Sequence, residues 1–420
     1  MTSEAFSITA HRPEQKTLPL MAVARESDVK NISMREKNLL SLSYGKIIRK
    51  NIDSNEGLLP GSFETYQIVR PGMTVLRFTD LQNDQRSLRS GLVKEQGIIT
   101  SAYVAVEPFA ADPRFFAYLM RAYDTNKVFY GMGGGVRQGL NFDSIRRLPV
   151  PDIPIDEQRT IADYLDRETA QIDALVAKQE ELVGLLRERR LSMAESFVWS
   201  GLDRTAETSE AGIGPVTNSP SHWRRLRNKN LFREVNVPSK DGQEELLTVS
   251  HLTGVTPRSM KNVNMFEAVT TEGYKVVEVG DLAINTMWAW MGALGISAYR
   301  GIVSPAYGVY RPTSEEVESG YFDHLFRSRR YVVEMTRHSR GVTASRLRLY
   351  PESFLRLGVV VPPADEQRAI ARSITQEAAK IDTLIAKANE HIALAKERRS
   401  ALITAAVTGH LDVRTAQRGA

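Results

Sequence analysis

The sequence predicts an α+β chain: two mixed α/β domains held apart by an antiparallel coiled coil of two long helices, with pseudo-twofold symmetry inside one chain. Three observations carry this. A heptapeptide is written twice, DEQRTIA at 156–162 and DEQRAIA at 365–371, at an offset of 209. A long apolar period of helical type follows each copy. The segments upstream of the two copies echo one another at a slightly different offset.

The first domain spans residues 1–155 and the second 222–361, both with mixed strand and helix signals. Ser101-Ala102-Tyr103 within GIITSAYVAV resembles Pro305-Ala306-Tyr307 within GIVSPAYGVY, and FAYLMR at 116–121 resembles FDHLFR at 322–327. Gly135-Val136 before RQGLNF is echoed by Gly341-Val342 before TASRLRL, and the offsets drift from 204 to 206. Drift of this kind means a shared scaffold with loops of different length, and loops are where specificity is varied.

The first long helix is expected over 156–203 and the second over 362–412, with a tail at 413–420. Ile161, Leu165, Ile172, Leu175, Leu182, Leu186 and Met193 fall on steps alternating four and three, interrupted by Glu168, Gln179, Arg189 and Ser196. Ile370, Ile374, Ile381, Leu384, Ala388, Ala395, Leu402 and Ala405 continue the same register in the second copy. A 3.5-residue repeat of this length predicts two helices packed as a coiled coil. Pro151 and Pro154, and Pro362 and Pro363, stop the preceding strands, so that Asp156 and Asp365 are placed to cap the first turns. Two carboxylates in a first turn complement the helix dipole, which favours a helix start over a catalytic tetrad for Asp-Glu-Gln-Arg. Residues 204–221, rich in Ser, Thr, Gly and Pro, are expected to be a linker. A helix from Asp156 to about Trp199 spans ~66 Å at 1.5 Å per residue. If the second helix packs along the first it runs back, which gives the pseudo-twofold dumbbell.

Composition narrows the class. The chain of 420 residues is 42% apolar and 25% charged, and its longest apolar stretch, Met287 to Ile296, is about half of what a membrane-crossing helix needs. It has no cysteine, which excludes disulfides, Cys-based zinc sites and thiol nucleophiles. A cytoplasmic protein is expected. The net charge of +5 is uneven: Lys+Arg against Asp+Glu is 20 to 16 over 1–155 and 19 to 14 over 213–361, with 16 to 20 in the rest. The excess positive charge therefore sits on the domains, where a polyanion would meet it.

No catalytic constellation stands out. There is no GxxxxGK[ST] loop, no HExxH, and no Asn/Asp-Pro-Pro-Tyr/Phe motif of amino-methyltransferases. The seven histidines, among them His324 and His338, are scattered and read as ordinary polar residues. GMGGG, with Gly131, Gly133, Gly134 and Gly135, lacks a dinucleotide-binding surround and reads as a turn. The chain reads as a non-catalytic recognition and scaffolding protein without a metal site.

The paired motif is what resembles a known family. PDIPIDEQRTIADYLDRETAQIDAL and VPPADEQRAIARSITQEAAKIDTLI, with ERRLSMAESFVWSGLD and ERRSALITAAVTGHLD further on, are similar to the DNA specificity subunit of type I restriction-modification systems. LRFTDLQND, GIITSAYVAVEP, MWAWMGALGISAYRGIVSPAYGVYRP and PSHWRRLR resemble its target-recognition domains. The first domain departs from the pattern in lacking the tryptophan that starts the second at Trp223.

The resemblance implies a subunit that binds double-stranded DNA, two methyltransferase subunits and, through them, two restriction subunits. It also implies no cofactor in this chain, S-adenosylmethionine, ATP and Mg belonging to the partners. Each domain would read one half of a split target, and the helices would fix the gap. Base reading needs side chains of fork or amide geometry on basic loops. The candidates are Arg77, Asp80, Gln82, Asn83, Arg86, Arg89, Arg137 and Gln138 in the first domain. In the second they are Asn285, Trp288, Trp290, Arg340, Thr343, Ser345, Arg346 and Arg348. Trp288 and Trp290 alternate as on a strand. Glu157, Gln158 and Arg159, with Glu366, Gln367 and Arg368, are candidates for docking partner subunits. Two alternatives stay open: a protein-binding coiled-coil scaffold with no DNA role, and a fused enzyme that methylates or cleaves DNA itself.

Overall fold

The computed structural model describes residues 16–52, 62–81, 83–84, 87–132, 139–213, 216–261, 270–341 and 347–416. It divides into two compact units, residues 1–181 with 389–420, and residues 182–388.

In the first unit the strands are β1 (Thr17–Pro19), β2 (Ala24–Ser27), β3 (Leu40–Ser43), β4 (Lys46–Arg49), β5 (Gln67–Val69), β6 (Thr74–Leu76), β7 (Ser90–Leu92), β8 (Gly97–Ile99), β9 (Val104–Pro108) and β10 (Pro149–Pro151). They are followed or interrupted by helices α1 (Pro113–Thr125), α2 (Phe142–Ile145) and the start of α3 (Ile155–Ser200). A four-stranded antiparallel sheet runs β2-β9-β6-β7, beside the pairs β3-β4, β5-β8 and β1-β10. Strand alternation sorts its residues into two cores. Leu76, Val104 and Val106 pack under α1 with Phe115, Phe116 and Leu119. Val75 and Ala105, one residue out of phase, pack with Leu40, Val69, Val93 and Ile99 on the other face. Helix α1 starts where Asp112 accepts from the backbone N–H groups of Arg114 at 3.0 Å and Phe115 at 3.1 Å, with Pro113 in the first position.

The second unit contains β11 (Thr208–Ile213), β12 (Val216–Pro220), β13 (Arg224–Arg227), β14 (Phe232–Glu234), β15 (Leu247–Ser250), β16 (Gly254–Pro257), β17 (Lys275–Val277), β18 (Leu282–Ile284), β19 (Leu294–Ile296), β20 (Gly301–Val303), β21 (Gly308–Pro312) and β22 (Gly358–Val361). Its helices are α4 (Ser319–Arg327), α5 (Arg329–Arg337), α6 (Pro351–Arg356) and α7 (Ala364–Val407), the last of which ends in the first unit, before α8 (Val413–Ala416). The sheet order β14-β21-β18-β19, with the pairs β15-β16, β17-β20 and β13-β22, repeats the first unit strand for strand. Even isolated bridges recur: Lys30 with Gln67 and Pro238 with Lys275 antiparallel, Leu39 with Ile98 and Leu246 with Ile302 parallel. The atypical start of the first domain thus makes the same pairing as the Trp223 segment, β1 on β10 and β13 on β22.

Several expectations are corrected. The segment read as a linker holds the antiparallel hairpin β11-β12, because its Ser and Thr residues pair through their backbones whatever their polarity. Helices α3 and α7 begin at Ile155 and Ala364, so Asp156 and Asp365 lie inside the first turns rather than capping them. There they still complement the dipole, and they bind Arg159, at 3.1 Å, and Arg368.

Within the first unit, Asp173 pairs with Arg399 at 2.8 Å and Glu180 with Lys396 at 3.2 Å, rising numbers against falling ones, as antiparallel packing requires. Within the second, Arg190 pairs with Asp382 at 3.4 Å, while Val198 and Trp199 share a core with Ile370 and Ile374. The buried seam includes Ile172, Val176, Val183, Leu186, Ile381 and Ala388. Leu175, Leu182 and Leu384, expected on it, are 49%, 43% and 51% exposed. A 3.6-residue helix drifts off a 3.5-residue pattern, so Val176 and Val183 take the inward places.

Candidate nucleic-acid interface

Each unit brings two loops together beside its four-stranded sheet. In the first, the loop joining β6 to β7 meets the segment that follows α1. Arg77 is bound to Asp84 at 3.4 Å and its N–H donates to the Arg89 carbonyl at 2.8 Å. Asp80, in the left-handed region at φ 58°, accepts from Asn83 Nδ2 at 2.7 Å. Both Asp80 and Asn83 are exposed. Gln82, Arg86, Arg137 and Gln138 lie outside the described residues, as do Gly133, Gly134 and Gly135.

Arg89 corrects the reading of the sequence. It is 0% exposed and donates inward, from Nη1 to the Thr79 carbonyl at 2.7 Å, from Nη2 to the carbonyls of Asp80 at 3.1 Å and Asp84, and from Nε to the Tyr130 hydroxyl at 3.3 Å. With no surface to offer a base, it is part of the loop's interior.

In the second unit the loop from β18 to β19 turns through a short 3-10 helix at Ala289–Met291 that ends at Gly292 with φ 83°. Trp288 and Trp290 therefore do not alternate on a strand. Ala289 between them is the buried residue, Trp288 is 49% exposed, and Trp290 Nε1 donates to the Met287 carbonyl at 3.0 Å. Asn285 is buried: its Nδ2 donates to the Tyr307 hydroxyl at 3.0 Å and its N–H to the Ala293 carbonyl at 2.9 Å, closing the loop. Arg340 and Arg348 are exposed and exchange backbone hydrogen bonds of 2.9 Å, pinching off a second loop. Leu349 N–H donates to the Thr286 carbonyl at 3.0 Å and Arg348 Nη2 lies 3.6 Å from Met287 Sδ, so the two loops touch. Thr343, Ser345 and Arg346, within that second loop, lie outside the described residues.

The electrostatics are one-sided here. Residues 285–293 and 338–350 contain no Asp or Glu, while Arg340, Arg346 and Arg348 fall among them. An exposed indole on the loop that Arg348 touches, with Arg340 also exposed, suits a nucleic acid, whose bases offer flat faces and whose backbone offers phosphates. Thr286, Met287 and Tyr130 are not legible as parts of these loops from sequence, because each gains its place only through a contact from a distant segment.

At the helix starts, the two glutamines are not surface residues. Gln158 is 5% exposed, accepts from the Asp112 N–H at 2.8 Å and donates to the Ile153 carbonyl at 3.0 Å. Gln367 is fully buried, accepts from the Glu318 N–H at 3.1 Å and donates to the carbonyls of Glu316 at 3.0 Å and Pro362 at 2.9 Å. Asp112 and Glu318 occupy the positions just before α1 and α4. Each glutamine therefore ties a long helix to the domain in front of it, which corrects its reading as a docking residue. Glu366 faces inward too, accepting from His222 Nε2 at 2.8 Å and Trp223 Nε1 at 3.1 Å, and Glu157 lies 3.6 Å from Arg414. Arg159 and Arg368 remain on the surface.

His338 follows α5 and its Nδ1 lies 3.1 Å from the Glu334 carbonyl, and burial lowers the pKa of His324. Among the described residues no group of three or more His, Asp or Glu side chains is placed to hold a metal, and no helix is long and apolar enough to cross a membrane.

No family profile matches the chain. A curated relative, the type I restriction enzyme MjaX specificity subunit of Methanocaldococcus jannaschii, is 23% identical over 314 residues, covering 72% of this chain and 69% of that protein. A solved structure, described as the structural basis of complex assembly and conformational transition of the type I restriction-modification system, aligns with TM-score 0.63 and 17% identity over 95% of this chain and 99% of its own. The HsdS subunit from Thermoanaerobacter tengcongensis aligns over 95% of this chain and 98% of its own, with 17% identity and TM-score 0.48.

Proposed function

We propose, on the premise that the chain belongs to the specificity subunits of type I restriction-modification systems, that it reads a bipartite DNA target, one half-site for each domain. The observation that carries this is the duplicated pair of touching loops: the same sheet, entered in the same order, presents two contact loops in each unit. Phosphate contacts from Arg340 and Arg348 would position the second domain, and Trp288 with the residues around Arg346 would contact bases. In the first domain Asp80, Gln82, Asn83 and Arg86 on the β6–β7 loop, with Arg137 and Gln138 on the segment after α1, would take the corresponding part.

Chemistry belongs to the partners. Two methyltransferase subunits would bring S-adenosylmethionine, and two restriction subunits ATP and Mg, with this chain as a non-catalytic scaffold in the cytoplasm. The half-exposed Leu175 and Leu384, at matching places in the two repeats, support docking along the long helices, together with Arg159 and Arg368.

Footprinting of the full chain with its methyltransferase partner tests this reading. Two protected half-sites separated by an unprotected gap are expected, with affinity that falls steeply as salt rises. A single contiguous footprint overturns the two-reader reading, and salt-independent failure to bind any duplex leaves the protein-binding scaffold in its place.

A further inference from the structure

We infer that Arg89 is the positioning residue of the first domain's contact loops, a device absent among the described residues of the second domain; this rests on the DNA-reading function proposed above. The β6–β7 loop is longer than its counterpart, residues 77–89 against 285–293, and its described residues form no helix or strand. A long loop needs something to bury. Leu81, 1% exposed, supplies an apolar anchor, and Arg89 supplies a polar one.

The guanidinium lies where three loop carbonyls, those of Thr79, Asp80 and Asp84, converge, and it accounts for them with two nitrogens. Its third nitrogen reaches Tyr130, and Asp84 Oδ2 lies 3.7 Å away to balance the charge. The Arg89 backbone N–H is in turn held by the Asp124 carboxylate on α1. A buried cation is costly unless such partners surround it, and here they do.

What makes this more than a packing detail is which segments it joins. Residues 79–84 contain Asp80 and Asn83, and Tyr130 stands just before the segment that contains Arg137 and Gln138. One side chain therefore ties residues 79–84 to Tyr130, where the chain leaves α1 for its second candidate loop. The second domain closes its shorter loop instead with the backbone bond from Asn285 to Ala293 and joins its loops through Leu349 and Thr286. Lysine cannot replace the arginine here, because an ammonium has no planar fork with which to meet three carbonyls and a hydroxyl in fixed directions.

The test is a binding selection on duplexes randomised in both half-sites, using the full chain with its methyltransferase subunits. Arg89→Lys and Tyr130→Phe are expected to flatten base preference in one half-site, by about ten-fold or more per position for the lysine variant, leaving the other half-site and the gap unchanged. A domain that was merely less stable would lower the bound fraction but keep the preference of the molecules that bind. Unchanged preference in both half-sites for both variants overturns the proposal, as does equal flattening of the two. Failure of the wild-type chain to select any split sequence would instead count against the DNA-reading function.

Discussion

At the scale of single residues, the repeated letters are explained by tight contacts rather than by chemistry. Gly97 and Gly301 open the GII and GIV strands, and a Cβ there would stand 2.4 Å from the Asn38 carbonyl oxygen and 2.3 Å from that of Glu245. Those carbonyls accept from the next residues, Ile98 and Ile302, so the backbones cannot part without losing a hydrogen bond. Gly97→Ala and Gly301→Ala are each expected to destabilise the domain that carries them by about 1–3 kcal/mol, measured by denaturant unfolding, and wild-type stability for either would show that the two segments yield easily. The repeat was readable in the sequence but this reason was not, because the contact joins segments far apart in the chain. Arg121 and Arg327 are a similar case. They end the FAYLMR and FDHLFR matches, and their Nη2 groups reach the turns after β3 and β15, at the carbonyls of Gly45 at 2.7 Å and Leu252 at 3.0 Å. Burial pushes the Arg121 pKa down to about 10.

At the scale of elements, the period of the long helices was enough to find them, whereas their inward face was not fixed by it. Leu175 and Leu384 satisfy the apolar pattern yet lie open, because burial depends on what crosses the helix at each turn. The junction with each domain is hidden from the pattern for a related reason: Glu-Gln-Arg in a first turn reads as exposed, and only the fold shows that the glutamine points inward. Gln158→Ala would leave the Asp112 N–H and the Ile153 carbonyl unpaired, and Gln367→Ala the Glu318 N–H with the carbonyls of Glu316 and Pro362. Each substitution is expected to cost about 1–3 kcal/mol and to raise hydrogen exchange at the start of α1 or α4. Weakened capture of the methyltransferase with unchanged exchange would return the glutamines to a docking role.

At the scale of the whole molecule, duplication accounts for the fold class and for the division into two units, since each repeat carries the same strand order and the same two-faced sheet. Recognition loops escape this logic. They are the parts in which the two copies differ, in length between β6 and β7 and in how they are fastened, and a single sequence fixes their residues without fixing their conformation. The helices do not differ in that way: α3 runs unbroken from residues of the first unit into the second, and α7 runs unbroken in the opposite sense of sequence. If they set the spacing between half-sites, adding one heptad to each at paired positions, beyond Glu180 in α3 and before Lys396 in α7, preserves the seam and lengthens each helix by about 10 Å. One helical turn of duplex spans about 34 Å, so the permitted gap should grow by about three base pairs while both half-site sequences stay as they are. Methylation mapping of the variant complex reads this directly. An unchanged gap would show that the domains, not the helices, determine where each half-site begins.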